Sequence, residues 1–165
     1  MFRSLFHRVG IYTNAVSLCI LKGNPKVYLL FITILNLGGN IMSILANYLQ
    51  TGDWKGEKHV PVIHAPESIS ANVLTEIKLS IGDAIAHPNT LEHHISWFKL
   101  FFLAEGAKFP VELGTYNFMA HGEGEMFTEP VAIAKVKLPS SGKLIAISYC
   151  NIHGLWENSA DVTVI

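Results

Sequence analysis

The chain has 165 residues, half of them hydrophobic, and a formal net charge of −1. That length suits one domain with a sizeable core and is short for two, and the near-neutral charge gives no electrostatic footprint for nucleic acid. Two cysteines, Cys19 and Cys150, cannot build a disulfide framework, so the pattern fits a reducing compartment or a metal.

Charge divides the chain. Residues 1–52 contain no Asp or Glu, and their only cations are Arg3, Arg8, Lys22 and Lys26. All 13 acids and the other eight Lys and Arg follow from Asp53 onward, which gives that part a formal charge of −5. Within the first segment, "VYLLFITILNLGGNIMSILANYL" is uncharged over 23 residues, long enough to span a bilayer. Basic residues precede it, as in an anchor with a cytoplasmic N-terminus or a secretory signal. Gly38, Gly39 and Asn40 in mid-span make a mediocre membrane helix. The preferred expectation is different. Gly38-Gly39 can be encoded as a ribosome-binding sequence, a short spacer ahead of an ATG at Met42. The hydrophobic extension 1–41, unrelated to the rest, is then not translated, and residues 42–165 are a cytoplasmic domain.

From Asp53 the pattern is that of β structure. "TEIKLSI" (75–81) sets Ile77, Leu79 and Ile81 on one face, the period of a half-buried strand. "HISWFKLFFL" (94–103) is rich in the aromatic and branched residues that strands favour. "GTYNFMA", "VAIAKVKL", "KLIAISYC" and "ADVTVI" continue the pattern. Turn signals separate them, among them Gly82-Asp83, Pro88-Asn89, Glu105-Gly106 and Ser141-Gly142. About seven short strands without a convincing long helix predict an all-β, immunoglobulin-like antiparallel sandwich.

Three clusters interrupt the strands: "EKHVP" (57–61), "HPNTLEHH" (87–94) and "CNIHG" (150–154). Seven of the eight histidines lie after residue 58. His87 and His93 are six apart, so they share no helical face, and Pro88 biases His87 to an extended conformation. A loop there can turn both imidazoles toward one point. His93 and His94 open a strand, whose neighbours point to opposite faces, so one of them at most joins that point. Cys150 ends a strand and His153 follows in a tight turn. A lone histidine is usually a satisfied surface or core residue, and a lone buried cysteine is usually a small hydrophobe. The three clusters together point to a metal site. One thiolate with several imidazoles suits iron, copper or zinc and excludes magnesium or calcium. Structural zinc usually takes more than one cysteine. A cupredoxin-like copper site usually adds a methionine after its last histidine, whereas the last methionine here is Met126.

Taken in order, "GDWKGEKHVPVI", "HPNTLEHHI", "AHGE", "TEP" and "LIAISYCNIHGLWE" closely resemble superoxide reductases of the single-iron, neelaredoxin type. The resemblance covers roughly residues 51–165 and does not reach residues 1–41. Related desulfoferrodoxins carry an additional four-cysteine iron domain, for which this chain lacks the cysteines. The resemblance implies one iron per chain, with His59, His87, His93 and His153 as four imidazoles in a plane around it and Cys150 as the axial thiolate. It implies that Glu57 takes the sixth position in the oxidised state and that Lys58 stands near that position. It further implies reduction of superoxide to hydrogen peroxide, re-reduction by rubredoxin or a similar donor, and a homotetramer. His64, His94 and His121 match no ligand. The loop "HGEGEMFTEP" (121–130) is shorter than the family's usual stretch, a departure that bears on subunit contacts or site access and touches no ligand.

These residue types suit that chemistry. Superoxide is a small anion, and its reduction takes one electron and two protons. A thiolate is a strong electron donor, and neutral imidazoles complete a metal's shell without repelling an anion. Two alternatives belong to other classes: an electron-transfer metalloprotein with a cupredoxin-like sandwich, and an immunoglobulin-like binding module without catalysis. Glu57 and Lys58 beside an open position weigh against the first, and the histidines with Cys150 against the second.

Overall fold

The computed structural model describes residues 43–165. The expectations for residues 1–41 and for a start at Met42 lie outside the described residues. The described chain forms nine strands: β1 (Leu49–Gln50), β2 (Val62–His64), β3 (Ser68–Ile69), β4 (Thr75–Ser80), β5 (Ile95–Ala104), β6 (Val111–Asn117), β7 (Ala132–Val136), β8 (Gly142–Cys150) and β9 (Gly154–Val164). Among the described residues the only helical elements are 3-10 turns at Ile44–Asn47 and Glu123–Glu125. No helix among them is long and apolar enough to cross a membrane.

The strands make two sheets. The larger runs β1-β9-β8-β5-β6 with β3 also on β9, and the smaller runs β2-β4-β7. The all-β sandwich expected from the turn spacing is present, with two differences. β1 and β3 are two-residue strands that pair in parallel with β9, so the fold is not wholly antiparallel. Strands this short carry no period that a sequence can display. "ADVTVI" is the second half of a strand that begins at Gly154. The polar run Glu157-Asn158-Ser159 does not break it: Trp156 and Val162 face inward and are buried, while Glu157 and Ser159 are on the outer face.

Alternation builds the core between the sheets. Ile77 and Leu79 of β4, Phe98 and Leu100 of β5, and Leu144 and Ala146 of β8 are 0% exposed. Each large aliphatic or aromatic side chain buried in this way contributes about 1.5–3 kcal/mol. Phe118 meets Phe98 edge-on at 5.0 Å, the arrangement that aromatic quadrupoles prefer.

Two local irregularities shape the end of the sandwich where the three clusters meet. On β5, Ile95 pairs with Cys150 and Trp97 with Tyr149, leaving Ser96 as an extra residue. This bulge lets Ile95 stay in the core while Trp97, two residues on, faces outward. After β4 the chain turns at Gly82, with φ 78°, and a Cβ there would stand 2.8 Å from the His87 nitrogen. Only glycine fits both the left-handed backbone and that approach.

Candidate metal centre

His59 lies in the turn ahead of β2, His87 and His93 in the loop from β4 to β5, Cys150 at the end of β8, and His153 in the turn between β8 and β9. The fold brings all five together. Ring centroids are separated by 4.8 Å for His59–His87, 4.6 Å for His87–His93, 4.8 Å for His93–His153 and 4.5 Å for His153–His59. The diagonal His59–His93 is 5.9 Å. The four imidazoles therefore form a closed ring. Cys150 is fully buried, and its Sγ is 3.5 Å from His153 Nδ1. One ligand atom each from His59, His93, Cys150 and His153 lies within 4.8 Å of the others. His87 stands outside this tightest group but occupies its own corner of the ring.

The donor atoms fit a metal. His59 Nε2, His87 Nε2 and His93 Nε2 are buried without any hydrogen-bond partner, a condition that folded proteins rarely leave uncompensated. Their other nitrogens explain the orientation of two of them. His59 Nδ1 donates to Glu57 Oε1 at 2.5 Å, and His87 Nδ1 donates to the Pro88 carbonyl at 2.6 Å. A donated Nδ1–H leaves the lone pair on Nε2, as in carboxylate–histidine–metal sites.

Burial favours the neutral form of His59, His87 and His93, the form that ligation requires. Burial pushes His87 down to about 4, against the opposing effect of the Pro88 carbonyl. Burial likewise lowers His59, against the opposing effect of Glu57, and His93, with smaller contributions from neighbouring imidazoles and from Lys58. For Glu57, burial acts upward, but hydrogen bonds from the His59 ring and backbone, with help from Lys58, bring it below the usual carboxylate range. Glu57 and Lys58 are half-buried at the rim, and His153 is exposed, so small solutes reach this end of the sandwich.

Among the described residues, the other three histidines are engaged elsewhere. His93 and His94 precede β5 instead of opening it, and still point apart. His94 stacks on His121 at 3.6 Å with the rings 9° from parallel. His121 reaches Asn89 Oδ1 and the Phe118 carbonyl, both at 2.9 Å. His64 Nε2 sits 2.8 Å from both Ser80 Oγ and Asp83 Oδ2. The "HGEGEMFTEP" loop closes on itself through a bridge between His121 and Phe127.

Several contributors were not read from the sequence. The Trp156 indole stacks on the His59 ring at 5.1 Å and 18°. Ser148 Oγ, fully buried, donates to the His59 carbonyl at 3.0 Å. Ser148 pairs with Trp156 two positions from the Cys150–Gly154 pair. The period of two along β8 therefore carried the signal: a serine two residues from an inward cysteine also faces inward.

A sequence profile of the desulfoferrodoxin family matches residues 51–159. The chain belongs to the desulfoferrodoxin family. The superoxide reductase of Pyrococcus furiosus is 47% identical over 122 residues, covering 70% of this chain and 96% of that protein. The neelaredoxin of Megalodesulfovibrio gigas is 42% identical over 127 residues, covering 73% of this chain and 98% of that one. Among solved structures, the reduced superoxide reductase (neelaredoxin) of Archaeoglobus fulgidus aligns with a TM-score of 0.66 at 47% identity, over 70% of this chain and 98% of that chain. Each relative is matched over nearly its whole length, so the desulfoferrodoxin-family domain described here is a full counterpart of these proteins.

Proposed function

We propose that this chain is a superoxide reductase, converting superoxide to hydrogen peroxide at a single iron held by His59, His87, His93, His153 and Cys150. The observation that carries the reading is the closed ring of four imidazoles beside one buried thiol, with three Nε2 atoms lacking any other partner. Iron held by this set would supply the single electron. Everything else falls to the protein. Cys150, as thiolate, is the one anionic donor among the five and the strongest source of electron density. The neutral imidazoles leave the site attractive to superoxide. Lys58 adds positive charge at the rim and orders the water from which protons reach the product. The test is metal analysis with a visible spectrum. Protein made anaerobically with iron in excess should hold one iron per chain and, when oxidised, show a thiolate-to-iron band. Stoichiometric zinc instead would sink this reading.

Glu57 has two roles open to it: it would be a further ligand to the iron when oxidised, or it serves through the hydrogen bond it makes to His59. The first predicts that Glu57→Ala keeps its iron and reduces superoxide nearly as fast as wild type. Its ferric form should bind cyanide more readily. A variant that loads no iron would mean that Glu57 serves His59 alone.

The domain that does this is residues 42–165, and its compartment is the cytoplasm. Cys150 is free and unpaired by any disulfide, which fits a reducing interior. The electron donor is rubredoxin or a similar small redox protein; sustained turnover with reduced rubredoxin as sole electron source would support it, and none would exclude it. The protein is a homo-oligomer, a tetramer by family resemblance. The outer face of the larger sheet supports this, since Trp97, Phe101, Ile145, Ile147, Tyr149 and Leu155 are only half-covered there, with Trp97 stacked on Tyr149 at 5.6 Å. Sedimentation at the mass of a single chain would contradict it.

A further inference from the structure

We infer that Asn151 is a positioning residue that sets His93 against Cys150, an inference that rests on the iron site proposed above. Asn151 follows Cys150 directly and makes three hydrogen bonds to the two residues flanking His93. Its Oδ1 accepts from the His94 N–H at 2.9 Å, and its Nδ2 donates to the Glu92 carbonyl at 2.9 Å. Its own backbone N–H donates to the His94 carbonyl at 3.1 Å. One side-chain amide thus brackets His93, and its orientation is unambiguous, because the oxygen meets a donor and the nitrogen an acceptor.

The consequence is geometric. The loop from Gly82 to His94 contains no regular structure, and loops of this kind move more than the strands beside them. A ligand on such a loop needs an outside reference. Within the loop, the Thr90 and His93 backbones bond each other and the Thr90 carbonyl also meets the His94 ring, while Asn89 reaches Thr128 and His121. Asn151 ties that stretch to the one chain segment that also carries Cys150 and His153. Ser148, two residues before Cys150, holds the His59 carbonyl from the same strand. Three of the four imidazoles are therefore indexed to the strand and turn that present the thiol: His59 through Ser148, His93 through Asn151, and His153 by being part of the turn. Outer contacts of this kind typically change metal affinity by about 10- to 100-fold when removed.

The test uses the full chain, freed of metal, with wild type, Asn151→Ala and Asn151→Ser. Ferrous iron is titrated anaerobically against a competing chelator, the visible band of each oxidised form is recorded, and thermal unfolding is followed without metal. Asn151→Ala should bind iron about 10-fold more weakly or worse, with the thiolate-to-iron band displaced or broadened. Asn151→Ser, which keeps a polar group on a shorter side chain, should fall between the two. If Asn151→Ala does not fold, the serine variant alone decides, by the same affinity and band. Folded variants with wild-type affinity and an unmoved band would overturn the inference, as would a loss seen only in the unfolding of the metal-free protein. Failure of the proposed function looks different: wild type itself would take up no iron, or would take it up and consume no superoxide.

Discussion

Cys150→Ser abolishes the thiolate-to-iron band and lowers superoxide reduction by more than the roughly 10- to 100-fold that loss of an outer contact costs. The thiol is 0% exposed and 3.5 Å from His153 Nδ1, so no solvent group can replace it from outside. A serine hydroxyl is too weak an acid to supply an anionic donor to the same place at neutral pH. The fold should survive. Cys150 pairs with Gly154 through the backbone, which the substitution leaves intact. Gly154 turns the hairpin at φ 77°, a conformation that does not depend on the cysteine side chain. The expected picture is a folded protein, still able to bind metal weakly, without the band and nearly without activity. Stopped-flow mixing of the reduced variant with superoxide, beside its visible spectrum, checks both. A variant that keeps the band would remove Cys150 from the iron's ligands.

Lys58→Ala slows the reaction with superoxide by roughly 10-fold at low salt, the scale of electrostatic steering by a charged site. Lys58 is half-buried between Glu57 and His59, and its charge is felt at His59, His87 and His93, where it lowers each imidazole after the larger effect of burial. A group that repels a proton from the ring of imidazoles attracts an anion to it. A unit cation and anion 4 Å apart attract by about 4 kcal/mol at an effective dielectric near 20. Partial exposure of the ammonium reduces that at the encounter stage. Steering of this kind is screened over about 10 Å at 0.1 M salt, so the wild-type rate should fall as salt is added. Lys58→Ala should lose much of that slope and Lys58→Arg should keep most of it. Iron content and the visible band should stay the same in both. Equal rates and equal slopes for wild type and Lys58→Ala would mean that the metal centre draws the anion in alone.

The sequence displayed the parts of this protein that have a period or a distinctive chemistry. Ile77, Leu79 and Ile81 alternate, and they line the core as expected. Histidines and a cysteine are chemically loud, so the three clusters stand out as a metal site, while the choice of His59, His87, His93, His153 and Cys150 within them is what the family resemblance implies. What stayed hidden has no such mark. β1 and β3 are two residues each, and only pairing to β9 makes them strands. Asn151 and Ser148 are ordinary polar residues whose importance comes from partners 59 and 89 positions away. Trp156 looks like one more core aromatic until the hairpin register sets it beside His59. The family resemblance alone makes Glu57 a candidate ligand of the oxidised metal. Its hydrogen bond to the ring of His59, two residues on, depends on a local turn that spacing alone does not specify.

One-electron reduction of superoxide shows itself in stoichiometry. Protein reduced beforehand, with no other donor present, is mixed anaerobically with superoxide in defined increments. Superoxide consumed, peroxide formed, oxygen released and iron oxidised are then counted together. A reductase gives one peroxide for each superoxide and each iron oxidised, and no oxygen from the reaction. Oxygen released in step with peroxide, at half the superoxide consumed and with the iron left reduced, would be dismutation and would contradict the account.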